Sequence, residues 1–235
     1  MESGSFYSEY KRVQDIAKST IEYVCANAQA GMTEREIVEM AENEMIRQGA
    51  TSFWYYGIGA FVFTGERTTA SVSGKNYIPT DTEICRDDII TIDLSPQVGE
   101  IWGDYARTLI VQEGRVVAPN EASDVGFKEG LAFEEALHEL LLKRVVPDMT
   151  FEELYVLMNR HIEENNFINL DFAGNLGHSI ERKKEDRMYI EKGNAAKLSD
   201  VKMFTFEPHI QRKGLPFGFK MENIYLFSDG QLTEL

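Results

Sequence analysis

The sequence predicts an α/β chain built from two similar halves, about 1–118 and 119–235, each running helix, helix, strand, strand. Three observations carry this expectation. Helical and strand-like apolar patterns alternate in that order twice. A threonine followed three residues later by glutamate, the mark of a reciprocal helix cap, occurs at Thr33/Glu36 and at Thr150/Glu153, a displacement of 117 residues. Carboxylates on strand-like segments repeat at similar distances: Asp93 lies 114 residues before Glu207, and Asp104 lies 118 before Glu222.

In chain order, residues 7–29 read as the first helix. GMTEREIVEMAENEMIRQGA starts the second, with Thr33 as cap and Ile37, Met40, Ala41 and Met45 as an apolar face. SFWYYGIGAFVFTG is aromatic and glycine-bearing, which favours a strand. DTEICRDDIITIDLS and WGDYARTLIVQEG form the next strand pair, with VGE in the turn. A helix is expected from about Ser123 to Val145 and another in DMTFEELYVLMNRHIEENN; VKMFTFEPHI and GFKMENIYLFSDG close the chain as strands.

With 235 residues the chain is long enough to bury about 70 to 75% of its unfolded surface. A hydrophobic fraction of 43% argues against general disorder. Lys and Arg number 24 against 39 Asp and Glu, a net charge of -15, so nucleic-acid phosphates find no broad attraction. Cys25 and Cys85 have neither metal-finger spacing nor disulfide density and read as free thiols. The amino terminus has no basic region followed by an apolar run, and no segment approaches 18 uninterrupted apolar residues; a soluble, cytoplasmic protein is the expectation.

DLSPQVGEIWGD places one aspartate at the end of a strand and a second just before the next, so the pair comes to lie side by side. An approximate internal two-fold would add Glu207 and Glu222. Acids are common in this chain, but Asp93 and Glu207 follow TI and TF in strongly apolar strands, where an unpaired charge is costly. Converging carboxylates require cations, and divalent metals suit such an oxygen-rich set. Among the four histidines, His178 in AGNLGHSIE is the best-placed nitrogen donor, because its glycines permit close packing. His138 and His161 lie in predicted helices and read as packing or surface residues; Trp54, Trp102 and Phe204 read as core or cleft wall.

The segments DDIITIDLSPQVGEIWGDYARTLIV, GNLGHSIE, FTFEPHI and KMENIYLFSDGQLTEL resemble, in order, the catalytic domain of the methionine aminopeptidase, Xaa-Pro aminopeptidase and creatinase superfamily of M24-like metallopeptidases. The resemblance spans nearly the whole of 1–235 and implies a single catalytic domain of the pita-bread fold: a curved antiparallel sheet, outer helices and an internal pseudo-two-fold repeat. It also implies two divalent metal ions. Asp93 would bind one and Asp104 and Glu222 would bridge both, while His178 and Glu207 would hold the second. Manganese or iron is the expected metal, with cobalt or zinc as alternatives. The implied activity is hydrolysis of a small peptide or peptide-like amide, as in Xaa-Pro aminopeptidases or dipeptidases, with Glu207 also accepting a proton. A homodimer is left open.

Two positions depart from the family pattern. TGERTTASVSGKNYIPTD lacks the histidine usual before the first metal aspartate, and Glu185 stands seven residues after His178, where relatives commonly have another. His209 in EPHI is a candidate replacement, since strand alternation puts it on the side of Glu207. Arg182, Lys183, Lys184, Arg212 and Lys213 read as a solvated patch or as a rim for a substrate carboxylate. The departures keep open a divergent small-molecule metalloenzyme, not necessarily hydrolytic, and a noncatalytic interaction protein.

Overall fold

A computed structural model of the chain describes residues 2–171 and 173–235; Met1 and Phe172 lie outside the described residues. Helices α1 (Glu2–Asn27) and α2 (Glu34–Arg47) lead into the short strand β1 (Ser52–Phe53) and into β2 (Ala60–Thr64). Strand β3 (Asp88–Leu94) is followed by a small hairpin, β4 (Pro96–Val98) and β5 (Ile101–Trp102), and then by β6 (Tyr105–Gln112) and β7 (Arg115–Val117). The second half opens with α3 (Val125–Arg144), α4 (Phe151–Glu164) and β8 (Phe167–Asn169). It closes with β9 (Phe204–Phe206), β10 (His209–Arg212), β11 (Gly218–Lys220), β12 (Asn223–Ser228) and β13 (Gln231–Glu234).

The strand pairings are antiparallel, in sheets ordered β2-β3-β6-β7, β11-β10-β8, β13-β12-β9 and β1-β4-β5. The halves meet along β6. Glu222 donates its N–H to the Ala106 carbonyl at 3.0 Å, and Thr108 Oγ1 exchanges hydrogen bonds with the backbone of Lys220 at 2.8 and 3.0 Å. Helix and strand faces drain into two large apolar clusters. One is built from residues between Ile16 and Val111, such as Ile37, Met45, Ile90 and Ile92; the other holds Leu137, Phe151, Phe206 and Phe219 together with Ile89 and Ile110 from β3 and β6.

The repeated caps form as expected. Thr33 and Thr150 each accept from the backbone of the glutamate three residues on, and each glutamate accepts from its threonine's N–H. Both helices are 14 residues long, and both cap threonines also form an isolated antiparallel bridge, Thr33 with Glu83 and Thr150 with Lys197.

Several boundaries differ from expectation. The first helix ends at Asn27, and the third runs Val125–Arg144 with Asp124 as its cap. SFWYYGIGAFVFTG forms two strands separated by a loop in which Tyr56 and Gly57 have positive φ. The turn expected at VGE is part of the hairpin β4–β5, so Val98 is itself paired. VKMFTFEPHI and GFKMENIYLFSDG each divide in two, breaking at Glu207–Pro208 and at Met221–Glu222. A proline has no N–H for a ladder, which explains the first break. Among the described residues no helix is long and apolar enough to cross a membrane.

Candidate metal centre

Period-two alternation along β3 aims its two faces differently. Ile90, Ile92 and Leu94 enter the first apolar cluster, while Thr91, Asp93 and Ser95 line a cavity of about 350 Å³ between the halves. Asp93 pairs with Ala106 in the β3–β6 register, which places Asp104 just ahead of β6 on the same cavity. Gln14 of α1 pins that point: its amide donates to the Asp104 carbonyl at 2.6 Å and accepts the Asp104 N–H at 3.0 Å. The oxygens of Asp93, Asp104 and Glu222 come within 4.8 Å of one another.

His178 approaches from the other half. Its N–H donates to Thr205 Oγ1 at 3.1 Å, and its ring Nδ1 donates to the Ser179 carbonyl at 3.0 Å. That bond leaves the Nε2 lone pair facing Asp104 Oδ2 at 3.6 Å and Glu207 Oε1 at 3.7 Å. Gly177 makes the approach feasible: its φ is +139°, and a Cβ there would stand 2.2 Å from the Thr205 carbonyl oxygen. Trp54 and Trp102 stack at 4.0 Å and flank the imidazole at 5.8 and 5.9 Å. Glu207 is held by its N–H on the Leu176 carbonyl at 2.9 Å.

The electrostatics are those of an acid cluster short of positive charge. Burial, then the neighbouring Asp93 and Glu207, raises the Asp104 carboxyl well above its ordinary range; burial, then Asp104, does the same to Glu222. Burial and then Arg187 push the His178 imidazole down to about 3, which keeps it neutral, the form that ligates metals. Lys220 Nζ lies 2.5 Å from Asp93 Oδ2 and 3.2 Å from Glu207 Oε2. For that ammonium burial opposes the charge, and Asp93, Glu207 and Glu222 outweigh it.

Glu222 provides the direct test of whether divalent cations fit. It is 1% exposed, and neither carboxylate oxygen has a hydrogen-bond partner among the described residues. Buried carboxylate oxygens are ordinarily satisfied by donors or cations. Four carboxylates and a neutral imidazole nitrogen form a mixed O/N donor set suited to manganese, iron, cobalt or zinc. The residues present therefore fit the group.

The other candidates separate. His209 lines the cavity, but its Nε2 donates to the Thr68 carbonyl at 2.7 Å, and burial followed by Lys220 pushes the ring down to about 4. His138 is buried outside the cavity against Tyr225 and the Met221 carbonyl, and half-buried His161 stacks on Phe133. Glu185 is exposed. The histidine-free segment is a cavity wall: its first turn carries Thr68, whose Oγ1 accepts from Gly218 N at 2.8 Å, and Ala70, Ser71 and Val72 line the cleft. Of the basic patch, Arg212 pairs with Glu129, Arg182 lies 3.8 Å from Glu100, and Lys184 sits over the Tyr56 ring.

Two cations of the cavity escaped the sequence reading, Lys220 and Arg187. Lys220 could have been found two residues before Glu222. Arg187 follows the basic run by only a few positions, and no local pattern marks it as inward-facing.

These features define a carboxylate-rich candidate metal centre in the cavity bounded by β3, β6 and the segment carrying His178. The family model for metallopeptidase family M24 matches residues 8–229, and the chain belongs to that family. A methionine aminopeptidase of Helicobacter pylori (strain ATCC 700392 / 26695) is 32% identical over 148 residues, covering 59% of this chain and 54% of that protein. The chain thus matches about half the length of this relative. Among solved structures, an X-Pro aminopeptidase from Thermotoga maritima MSB8 superposes with TM-score 0.79 at 22% identity, covering 97% of this chain and 60% of that one. A prolidase from Pyrococcus furiosus gives TM-score 0.75 at 20% identity, covering 95% and 61%. The last two likenesses establish the shared pita-bread fold.

Proposed function

We propose that the chain is a dinuclear metal-dependent hydrolase of small peptides or peptide-like amides, acting as a Xaa-Pro aminopeptidase or dipeptidase. The observation that carries this reading is the buried, unpartnered Glu222 carboxylate at the convergence of Asp93, Asp104, His178 and Glu207. In this reading Asp93, Asp104, His178, Glu207 and Glu222 would together hold the two cations. Bound divalent cations would supply Lewis-acid polarisation of the scissile carbonyl and lower the pKa of water at the site. Glu207, at the cavity surface, accepts and returns a proton through its carboxylate. Lys220 holds the Asp93 and Glu207 carboxylates in place, and His209 orients the Thr68 turn against the substrate. The walls of Trp54, Phe61 and Phe63 exclude bulk water.

The test is chelator treatment, reconstitution with Mn, Fe, Co or Zn separately, and assay on a panel of Xaa-Pro dipeptides, Xaa-Pro tripeptides and methionyl peptides. Turnover that chelator abolishes and metal restores is expected. Folded, fully metallated protein that cleaves none of the panel would contradict the peptidase reading. A divergent small-molecule metalloenzyme is favoured by one observation, the exposed Glu185 and histidine-free 65–81 wall where relatives carry imidazoles. Metal loading without peptide turnover would select it.

A further inference from the structure

His209 meets the cavity with one ring nitrogen used and the other free. Nε2 lies 2.7 Å from the Thr68 carbonyl oxygen, which can only accept, so Nε2 carries the proton and Nδ1 of the neutral ring presents a lone pair. The residue is buried, and Nδ1 has no hydrogen-bond partner among the described residues. Yet it is not one of the fully enclosed unpartnered atoms, which are Trp54 Nε1 and the carboxylate oxygens of Glu134 and Glu222. Nδ1 therefore opens onto the cavity that His209 lines. Across that cavity Thr91 lies on the same face of β3 as Asp93, about 7 Å along the strand, and Phe61 and Phe63 pair with Asp93 and Thr91 in the β2–β3 register. His209 itself pairs across β10–β11 with Lys220, whose ammonium holds Asp93 and Glu207. A bare acceptor thus stands within one residue's reach of the metal-ligating acids, in a pocket with aromatic sides.

We propose that His209 is a specificity residue whose Nδ1 accepts a hydrogen bond from the substrate, so that the preferred peptide carries an uncharged hydroxyl or carboxamide side chain beside its scissile bond. This rests on the hydrolase reading above and narrows it from peptides in general to those with a neutral donor at that place. An apolar side chain would leave the buried acceptor bare and its desolvation unanswered, whereas a hydroxyl or amide N–H answers it. A carboxylate would set its own lone pairs against Nδ1, and a cationic side chain would meet the Lys220 ammonium on the neighbouring strand. Phe61, Phe63 and Val72 offer apolar contact to the stem of the side chain, which leaves its tip as the group that His209 selects.

The experiment compares dipeptides that differ by a hydroxyl for a methyl, Thr-Pro against Val-Pro and Ala-Thr against Ala-Val, in metal-saturated wild type, His209→Gln and His209→Asn. The glutamine amide nitrogen can take the place of Nε2 and keep the Thr68 bond without an Nδ1, while asparagine reaches only the place of Nδ1. Wild type is expected to favour threonine over valine in kcat/KM by about tenfold at one of the two positions. In His209→Gln that preference should fall to within about twofold, and in His209→Asn part of it should remain; a ring that only props the Thr68 turn gives the opposite order. A ratio near one at both positions in wild type, or an unchanged ratio in His209→Gln, would overturn the proposal. Nitrogen NMR of isotope-labelled histidine in the zinc-loaded wild type should show His209 protonated at Nε2 and bare at Nδ1, and a proton on Nδ1 instead would also overturn it. Should no peptide be cleaved, Trp fluorescence titration with reduced, uncleavable analogues of the same dipeptides gives the comparison. Tighter binding of a threonine analogue that His209→Gln loses supports the role, and equal or absent binding overturns it, whatever becomes of the hydrolase reading.

Discussion

At Glu222 a buried carboxylate finds no donor among the described residues, so its charge is useful only when a cation answers it. Glu222→Gln keeps the shape and removes the charge. The variant is expected to bind divalent metal at least about tenfold more weakly, yet its metal-free form should melt no lower than metal-free wild type, because the unbalanced charge is gone. Calorimetry with and without chelator checks both halves; a metal-free form that melts several degrees lower would mean that Glu222 has an unseen protein partner. His209 differs, because its Nε2 is already used on Thr68. In metal-saturated His209→Ala, metal content should stay unchanged while kcat/KM falls by about 10²-fold through loss of the wall that the ring positions. Unchanged kinetics would return His209 to a packing role.

Elements bring these residues together, and the sharpest local requirement is the strand-like segment before β9 that carries His178. Gly177→Ala forces a Cβ against the Thr205 carbonyl in a backbone region that side chains rarely adopt. A loss of about 2 to 4 kcal/mol in unfolding free energy is expected, together with lowered metal occupancy as His178 shifts. Denaturant unfolding and metal analysis measure the two effects, and a neutral Gly177→Ala would remove the glycine from the design of the site. The helices were the legible part of this fold: Thr33 and Thr150 announce α2 and α4 because a cap is a local contact within four residues. Strands were legible as regions but not as units. Pro208 marks the break at Glu207–Pro208 locally, but the break at Met221–Glu222 and the hairpin β4–β5 depend on which distant segment each backbone group meets, which patterning does not encode. Asp93 and Glu207 stood out by their apolar strand settings and His178 by its flanking glycines, and the family resemblance joined them to Asp104 and Glu222 as one candidate set; Arg187 depends on rings at 54, 55 and 189 that only the tertiary fold assembles.

Across the whole molecule, three of the four histidines, His138, His178 and His209, are buried, and burial favours the neutral ring in each. His138, outside the cluster, is pushed down to about 3 by burial and then by Arg107. Its unfolded pKa is ordinary, about 6.5. Acidification below that value protonates the unfolded chain but not the folded one, so the stability His138 contributes is complete above about pH 6.5 and is lost progressively toward pH 3. Replacing it by Gln should flatten the fall of stability between pH 6 and 4 by about 1.4 kcal/mol per pH unit in metal-free protein. His178 and His209, lowered to about 3 and about 4, contribute slopes of the same sign that remain in the variant. Unfolding curves at stepped pH give the slope directly, and identical slopes for wild type and variant would contradict burial of a neutral His138.

The central claim is that Asp93, Asp104, His178, Glu207 and Glu222 form one cation-binding centre. Titration of chelator-treated protein with Mn²⁺, followed by native mass spectrometry, tests it most directly. The account predicts up to two specifically bound ions per chain in wild type and fewer in His178→Ala and Glu222→Gln, each with the fold retained. A folded wild-type chain that takes up no specific ion, or variants that load as wild type does, would contradict it.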